Sequence, residues 1–99
     1  MKYFVAESIM TEPLPVTAEE LETRYLPLHV AHLQAGIAEG TLLLGGPCET
    51  GGGFLLLRAE SREAAEAFLE RDPFRVRGLN RFRLTEFDPR ERSAMVADW

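Results

Sequence analysis

The sequence has little cysteine and no long apolar run, and each shortage excludes a class of protein. Its single cysteine, Cys48, excludes an internal disulfide framework. Its apolar runs are far shorter than the roughly 20 residues that a membrane-spanning helix needs. The opening MKYFVAES also lacks the apolar stretch of a signal peptide. We therefore expect a cytoplasmic protein with no membrane partner.

Basic residues are also in the minority. Eleven Lys and Arg stand against 16 Asp and Glu, which gives a net charge of −5. Non-specific nucleic-acid binding requires a basic patch that neutralises phosphates, so we expect no nucleic-acid partner. One stretch is locally rich in arginine, and we interpret it as a solvated strand face and turn: Arg71, Arg75, Arg77, Arg81 and Arg83.

What is present is an ordinary globular composition. The 99 residues are 45% hydrophobic and 27% charged, which is enough to bury one core without a metal or a disulfide. No internal repeat or linker divides the chain, so residues 1–99 are predicted to form a single domain. We expect the tail from Pro89 to Trp99 to be either frayed or docked on a partner subunit.

The first helix has a well-marked start. Thr17 and Glu20 have the spacing of a capping box, in which each side chain accepts a hydrogen bond from the other residue's backbone amide. Pro27 interrupts the helical pattern, since a proline inside a helix costs about 3 kcal/mol. Either the helix kinks there, or a second helix begins with Pro27 in its first turn. The second alternative is favoured, and it puts His29 and His32 near the start of the longer helix.

Two leucine-rich runs predict a β-hairpin. Residues 41–45 and 54–59 flank a glycine-rich segment, 46–53. Each run has three consecutive leucines rather than the alternation of a strand with one solvated face, which predicts that both faces are covered. Helices can cover one face of such a sheet. A second subunit is the natural cover for the other, so we predict a homodimer.

The order of the elements predicts the fold. Residues 2–6 form a first strand, and Ser61 caps a helix that ends at Asp72 and Pro73. Residues 81–87 alternate and form the last strand. The order strand, helix, strand, strand, helix, strand is that of the ferredoxin-like split βαβ fold, an α+β fold (βαββαβ) with an antiparallel sheet.

His29 and His32 are the first candidates for chemistry, because they are the only histidines and share one helix face. They could form a metal pair, or a general base with an accessory group. Alternatively, one ring lies in the core and the other in solvent. A metal site needs further ligands, and the sequence has no HExxH or CxxC pattern, so we expect no metal.

Asp72 and Tyr25 are further candidates. A carboxylate at the C-terminal end of a helix is typically unfavourable by about 0.3–1 kcal/mol. Asp72 either forms an Asp-Pro turn, or it accepts a hydrogen bond from one nitrogen of a histidine and leaves the other nitrogen to move protons. Tyr25 lies one turn before His29 and can line a pocket or simply pack. The residues alone leave these alternatives open.

Four segments together resemble a known family. The chain is similar to YCII-related proteins over nearly its whole length, and the segments that carry the resemblance are MKYFVAES, HVAHLQAGIAEGTLLLGGP at 29–47, GGGFLLLRAESREAAEAFLERDPF at 51–74 and GLNRFRLTEFDP at 78–89. The resemblance implies a ferredoxin-like dimer of the α+β-barrel kind. It also implies a catalytic His–Asp pair between a helix and the sheet, which corresponds here to His29 and Asp72. His32 does not match the family position.

The resemblance also implies a function. Known members include a dehydrochlorinase of a chlorinated hydroxyquinol, and relatives of the fold include muconolactone isomerases. The family commonly has an arginine just before the proline that precedes its histidine; here that position is Leu26, with Arg24 nearby.

Two functional hypotheses follow. The first is a lyase or isomerase without a cofactor, in which His29 and Asp72 move a proton on a small cyclic or aromatic substrate. Arg24, Tyr25 and His32 would then contact the substrate. The alternative is a non-catalytic module that binds or senses a small molecule or anion. A purely structural dimer that binds no ligand also stays open.

Overall fold

The computed structural model describes residues 1–99 and shows a small α+β fold, the class that the sequence predicts. The strands are β1 (Lys2–Met10), β2 (Leu42–Pro47), β3 (Gly53–Ala59) and β4 (Asn80–Phe87). The helices are α1 (Ala18–Glu20), α2 (Leu26–Glu39), α3 (Arg62–Glu70) and α4 (Pro73–Arg77), with a π-helical turn (Leu21–Tyr25) between α1 and α2 and a short 3-10 turn (Ala94–Val96) in the tail. None of the helices has the length and apolar character needed to span a bilayer.

The four strands form one antiparallel sheet in the order β2-β3-β1-β4. β1 lies in the middle, and its Val5 is opposite Leu56 of β3 and Thr85 of β4. The connection from β1 to β2 and the one from β3 to β4 are helical, and each skips one strand. Such crossovers are needed because parallel strands cannot be joined by a tight turn.

The helical region before β2 resolves the two alternatives for Pro27. Thr17 and Glu20 form the predicted capping box. The π-helical turn follows, in which the Leu26 amide donates to the Leu21 carbonyl, and Pro27 lies in the first turn of α2. The π-helical turn widens the hydrogen-bond spacing immediately before Pro27, a residue that has no amide to donate. Pro27 thus lies in the first turn of α2 as predicted, but the helical stretch runs without a break from Ala18 to Glu39, so α2 is not a separate second helix.

The core lies between the sheet and α3. Alternate strand residues are buried on this face, among them Phe4 and Leu57, and they pack against Phe68 of α3. Gly36 brings α2 close to α3, since a Cβ atom at this position would lie 2.5 Å from Phe68 Cζ. The close contact fixes the position of α2 over the sheet.

The opposite face of the sheet is open. Within β3, Leu55 and Leu57 are buried under the helices, whereas Leu56 is only half-buried on the other face. Leu44 of β2 is 52% exposed. A single chain therefore leaves this face partly uncovered, and the covering of both faces by a homodimer stays a prediction.

In the single chain the tail docks on the chain itself, and docking on a partner subunit stays a prediction. The Trp99 ring lies 5.4 Å from the Tyr3 ring, and the Trp99 main-chain oxygen accepts hydrogen bonds from Tyr3 Oη at 2.6 Å and Arg58 Nη1 at 3.1 Å. Tyr3 and Arg58 are paired residues on the open face of the sheet. The tail thus covers one end of that face.

Candidate active site

A groove of about 360 Å³ lies between α2 and the sheet. This volume is within the range of small-molecule sites. Most of its lining is apolar, and its polar side chains are those of Ser8, His29 and Gln34. No Asp, Glu, Lys or Arg lines it. Because a buried charge is costly without a partner, such a groove suits an uncharged ligand.

His29 and Asp72 form a close pair at this groove. His29 Nδ1 lies 2.8 Å from both Asp72 Oδ1 and Oδ2. The Asp72 side chain is 1% exposed and the His29 side chain is 16% exposed. An ionised carboxylate only accepts hydrogen bonds, so the proton of a neutral His29 ring belongs on Nδ1. The Nε2 atom is then free to accept a proton from a ligand.

Asp72 reaches this position because it starts a helix. Its Oδ1 atom accepts the Phe74 amide at 3.0 Å, and Pro73 occupies the first turn of α4. The prediction that the carboxylate lies unfavourably at a helix C-terminus is wrong. α3 ends at Glu70, and Asp72 faces the favourable N-terminal end of α4, a helix too short to be predicted from a sequence pattern.

Phe74 stacks on one face of the His29 ring. The two ring centroids are 4.0 Å apart and the planes differ by 4°. Phe74 is itself buried, so it has little freedom to move. Asp72 on one edge and Phe74 on one face fix the imidazole plane, and the Nε2 edge is the one that has no hydrogen-bond partner in the protein.

His32 has a different environment from His29. Its Nε2 atom lies 2.9 Å from the Phe68 carbonyl oxygen, and its ring stacks on the Phe68 ring at 4.5 Å. His32 therefore joins α2 to α3 and is absent from the groove lining. The two histidines have separate partners, and no three His, Cys, Asp or Glu side chains come together as metal ligands.

Arg24 and Tyr25 also lie outside the groove lining. Arg77 Nε donates to Tyr25 Oη at 3.2 Å, and the guanidinium carbons of Arg24 and Arg77 lie 5.4 and 5.9 Å from the centre of the Tyr25 ring. These contacts join the π-helical turn to α4. The structure thus brings together His29 and Asp72, whereas the other three predicted site residues have partners elsewhere.

A family comparison identifies the domain. Residues 1–88 match the family model of the YCII-related domain. The chain belongs to the YCII-related family. Among curated proteins, no sequence matches this YCII-related chain significantly.

Two solved structures are similar to the YCII-related chain. The 5-chloro-2-hydroxyhydroquinone dehydrochlorinase TftG from Burkholderia phenoliruptrix AC1100, in complex with 2,5-dihydroxybenzoquinone, is 23% identical with a TM-score of 0.67. The match covers 87% of this chain and 93% of TftG. The Arabidopsis thaliana protein At3g17210 is 11% identical with a TM-score of 0.50, and the match covers 94% of this chain and 99% of that one. At these identities the similarity establishes the fold.

Three residues at or behind the groove of this YCII-related protein were not predicted: Ser8, Phe74 and Asn80. Phe74 follows the Asp-Pro pair directly, and only knowledge of α4 reveals that its ring lies on His29. Ser8 and Asn80 are polar residues at positions that face the helices. The predicted first strand covers only residues 2–6 and ends before Ser8, so the sequence did not indicate that Ser8 is a strand residue on the face covered by the helices.

Proposed function

We propose that this YCII-related protein is an enzyme that moves a proton on a small, uncharged cyclic or aromatic substrate, as a lyase or an isomerase. The observation that carries the proposal is the His29–Asp72 pair at the edge of an apolar groove. No metal or organic cofactor is required for this chemistry.

His29 is the general acid and base of the proposed reaction. Its Nε2 atom accepts a proton from the substrate, while Asp72 keeps the ring oriented and stabilises the imidazolium that forms. In an isomerase the proton returns to another ring position as the double bond moves. In a lyase the electrons of the broken C–H bond form a double bond, and a leaving group departs with its own bonding pair.

The substrate class is proposed from the lining of the groove. Its apolar walls and neutral polar groups favour a ring that carries oxygen substituents rather than a free anion. TftG, which has the same fold, is a dehydrochlorinase of a hydroxylated ring, and this agrees with the proposal.

We also propose a ferredoxin-like dimer of the α+β-barrel kind. The strand order β2-β3-β1-β4 with two helical crossovers supports the ferredoxin-like arrangement. The uncovered apolar side chains on the open face support a second subunit.

A non-catalytic module that binds or senses a small molecule or anion is the alternative, and its anion-binding form has less support. It would need a basic side chain at the ligand, and none lines the groove. The prediction that Arg24, Tyr25 and His32 contact the substrate stays a prediction, since in the structure these side chains have other partners. Thermal shifts with benzoate in the wild type and in Arg24→Ala test the alternative, which requires a stabilisation that Arg24→Ala removes.

Turnover by His29 variants tests the proposed enzyme. Suitable substrates are 5-chloro-2-hydroxyhydroquinone, assayed by chloride release, and cyclic ketones and lactones, assayed by exchange of carbon-bound hydrogen with deuterated solvent. For any substrate that is turned over, we expect His29→Gln to lower the rate about 100-fold or more. His32→Gln, the matched control, should retain most of the rate. Full turnover by His29→Gln would contradict the assignment.

A further inference from the structure

Ser8 and Asn80 form a polar pair behind the groove. Asn80 Nδ2 donates to Ser8 Oγ at 2.8 Å, and Ser8 lines the groove together with His29. Ser8 is the acceptor in this bond, so its own hydroxyl proton is available to a ligand. The pair therefore presents a hydrogen-bond donor in a groove that has few polar groups.

Stability alone does not account for Asn80. Its side chain is buried at 2% exposure, and its Oδ1 atom has no hydrogen-bond partner. A buried acceptor without a partner is unfavourable, so an apolar residue would suit this position better if packing were its only role. The amide is explained if Asn80 holds the Ser8 hydroxyl in one orientation.

Glycines of the β2–β3 hairpin leave Ser8 uncovered. Gly53 is the residue opposite Ser8 in β3, and a Cβ atom at Gly53 would lie 3.8 Å from the Ser8 Cβ. A Cβ atom at Gly52 would collide with the Ser8 carbonyl oxygen. Both glycines line the groove, so a ligand can approach the Ser8 hydroxyl without meeting a side chain from this loop.

We propose that Ser8 is a substrate-orienting residue that donates a hydrogen bond to an oxygen substituent of the ring on which His29 acts. Asn80 is its positioning residue. This inference rests on the proposed function and deepens it, since it defines the substrate as a neutral ring with an acceptor oxygen. The oxygen binds at Ser8, and the reacting proton lies at the His29 end of the groove.

Binding of two matched neutral rings tests the inference. Anisole and ethylbenzene have similar shapes, but only anisole has an oxygen, and that oxygen can accept a hydrogen bond without donating one to His29. Dissociation constants are measured from amide NMR shifts of groove residues. We expect anisole to bind more tightly to the wild type, and we expect this preference to fall roughly fivefold in Ser8→Ala, the effect of one neutral hydrogen bond.

Two further variants keep the test specific. Asn80→Leu should lose the same preference while keeping its melting temperature, and Ser93→Ala, which removes an exposed hydroxyl with no capping bond, should keep the preference. An unchanged preference in Ser8→Ala would overturn the role of Ser8 while leaving the groove and His29 as proposed. Failure of both rings to shift the groove resonances would overturn the proposed function as well.

Discussion

At the scale of single residues, the orientation of His29 is determined from two sides. Asp72 binds the Nδ1 edge and Phe74 covers one face of the ring. His32, one helical turn away, has a structural environment, since it bonds to the Phe68 carbonyl near the end of α3. That carbonyl lies in the last turn of the helix, where carbonyl groups have no amide partner in the same helix.

We expect His32→Ala to lower the free energy of unfolding by about 1–3 kcal/mol, because the Phe68 carbonyl loses its donor in a part-buried site. Urea unfolding measures this change. Binding of anisole in the groove should remain unchanged, since His32 is not part of the lining. His32→Gln, which can still donate a hydrogen bond, should be less destabilised. A loss of anisole binding in His32→Gln would instead support the predicted contact of His32 with the substrate.

The histidine–aspartate pair was predictable from sequence only as one of several alternatives. The short motif around Asp72 and its resemblance to the family indicated the pair, but the electrostatic argument was wrong because α4 is too short to show a helical pattern. The partners of His32 were not predictable. They depend on the approach of α2 to α3 at Gly36, a tertiary contact that no local pattern reports.

At the scale of elements, the residues that cap the helices were predicted better than the lengths of the strands. The capping residues Thr17 and Ser61 begin the helices as expected. β1, in contrast, extends to Met10, beyond the predicted residues 2–6. Pairing with both β3 and β4 continues the strand through the polar Glu7 and Ser8, and pairing with β4 alone continues it to Met10. Tertiary pairing thus overrides local propensity at Glu7 and Ser8.

The capping box predicts a pH dependence of stability. Hydrogen bonds from the Thr17 backbone and side chain hold the pKa of Glu20 below its ordinary value of 4.5, and Arg24 and Arg77 add to this effect. The folded state thus favours the ionised carboxylate. The resulting stability is complete above about pH 4.5 and is lost as the pH falls through the lower pKa of the folded state.

Glu20→Gln tests this pH dependence, because glutamine can still accept from Thr17 but does not titrate. Urea unfolding between pH 7 and pH 2 should show that the wild type loses more stability than Glu20→Gln on acidification. Parallel profiles for the two proteins would contradict the role of the Glu20 carboxylate.

At the scale of the whole molecule, the open face of the sheet is the apolar surface that a single chain leaves partly uncovered. It carries half-buried or exposed apolar side chains, which include Leu44, Phe54, Leu56 and Phe87, and the tail covers only the end at Tyr3. The leucine runs indicated this surface in the sequence. They could not specify what covers it, because a partner leaves no separate pattern in the chain.

We expect sedimentation to give twice the chain mass of 11.1 kDa at micromolar concentration. Phe54→Lys should shift the protein towards the monomer, because it puts a charge on the open face while remaining compatible with Glu7 across the strand pair. Val76→Lys is the matched control, since Val76 lies on α4 and is 74% exposed. A wild type that sediments as a stable monomer would contradict the homodimer.

The central claim is that Asp72 selects the form of His29 in which Nε2 can accept a proton. Long-range ¹H–¹⁵N NMR spectra of the imidazole rings, recorded in mildly alkaline buffer, test it most directly. We predict that the neutral His29 ring carries its proton on Nδ1 in the wild type. In Asp72→Asn, the new amide can donate to Nδ1, so the proton should move to Nε2. A proton on Nε2 in the wild type, or the same form in both proteins, would contradict the account.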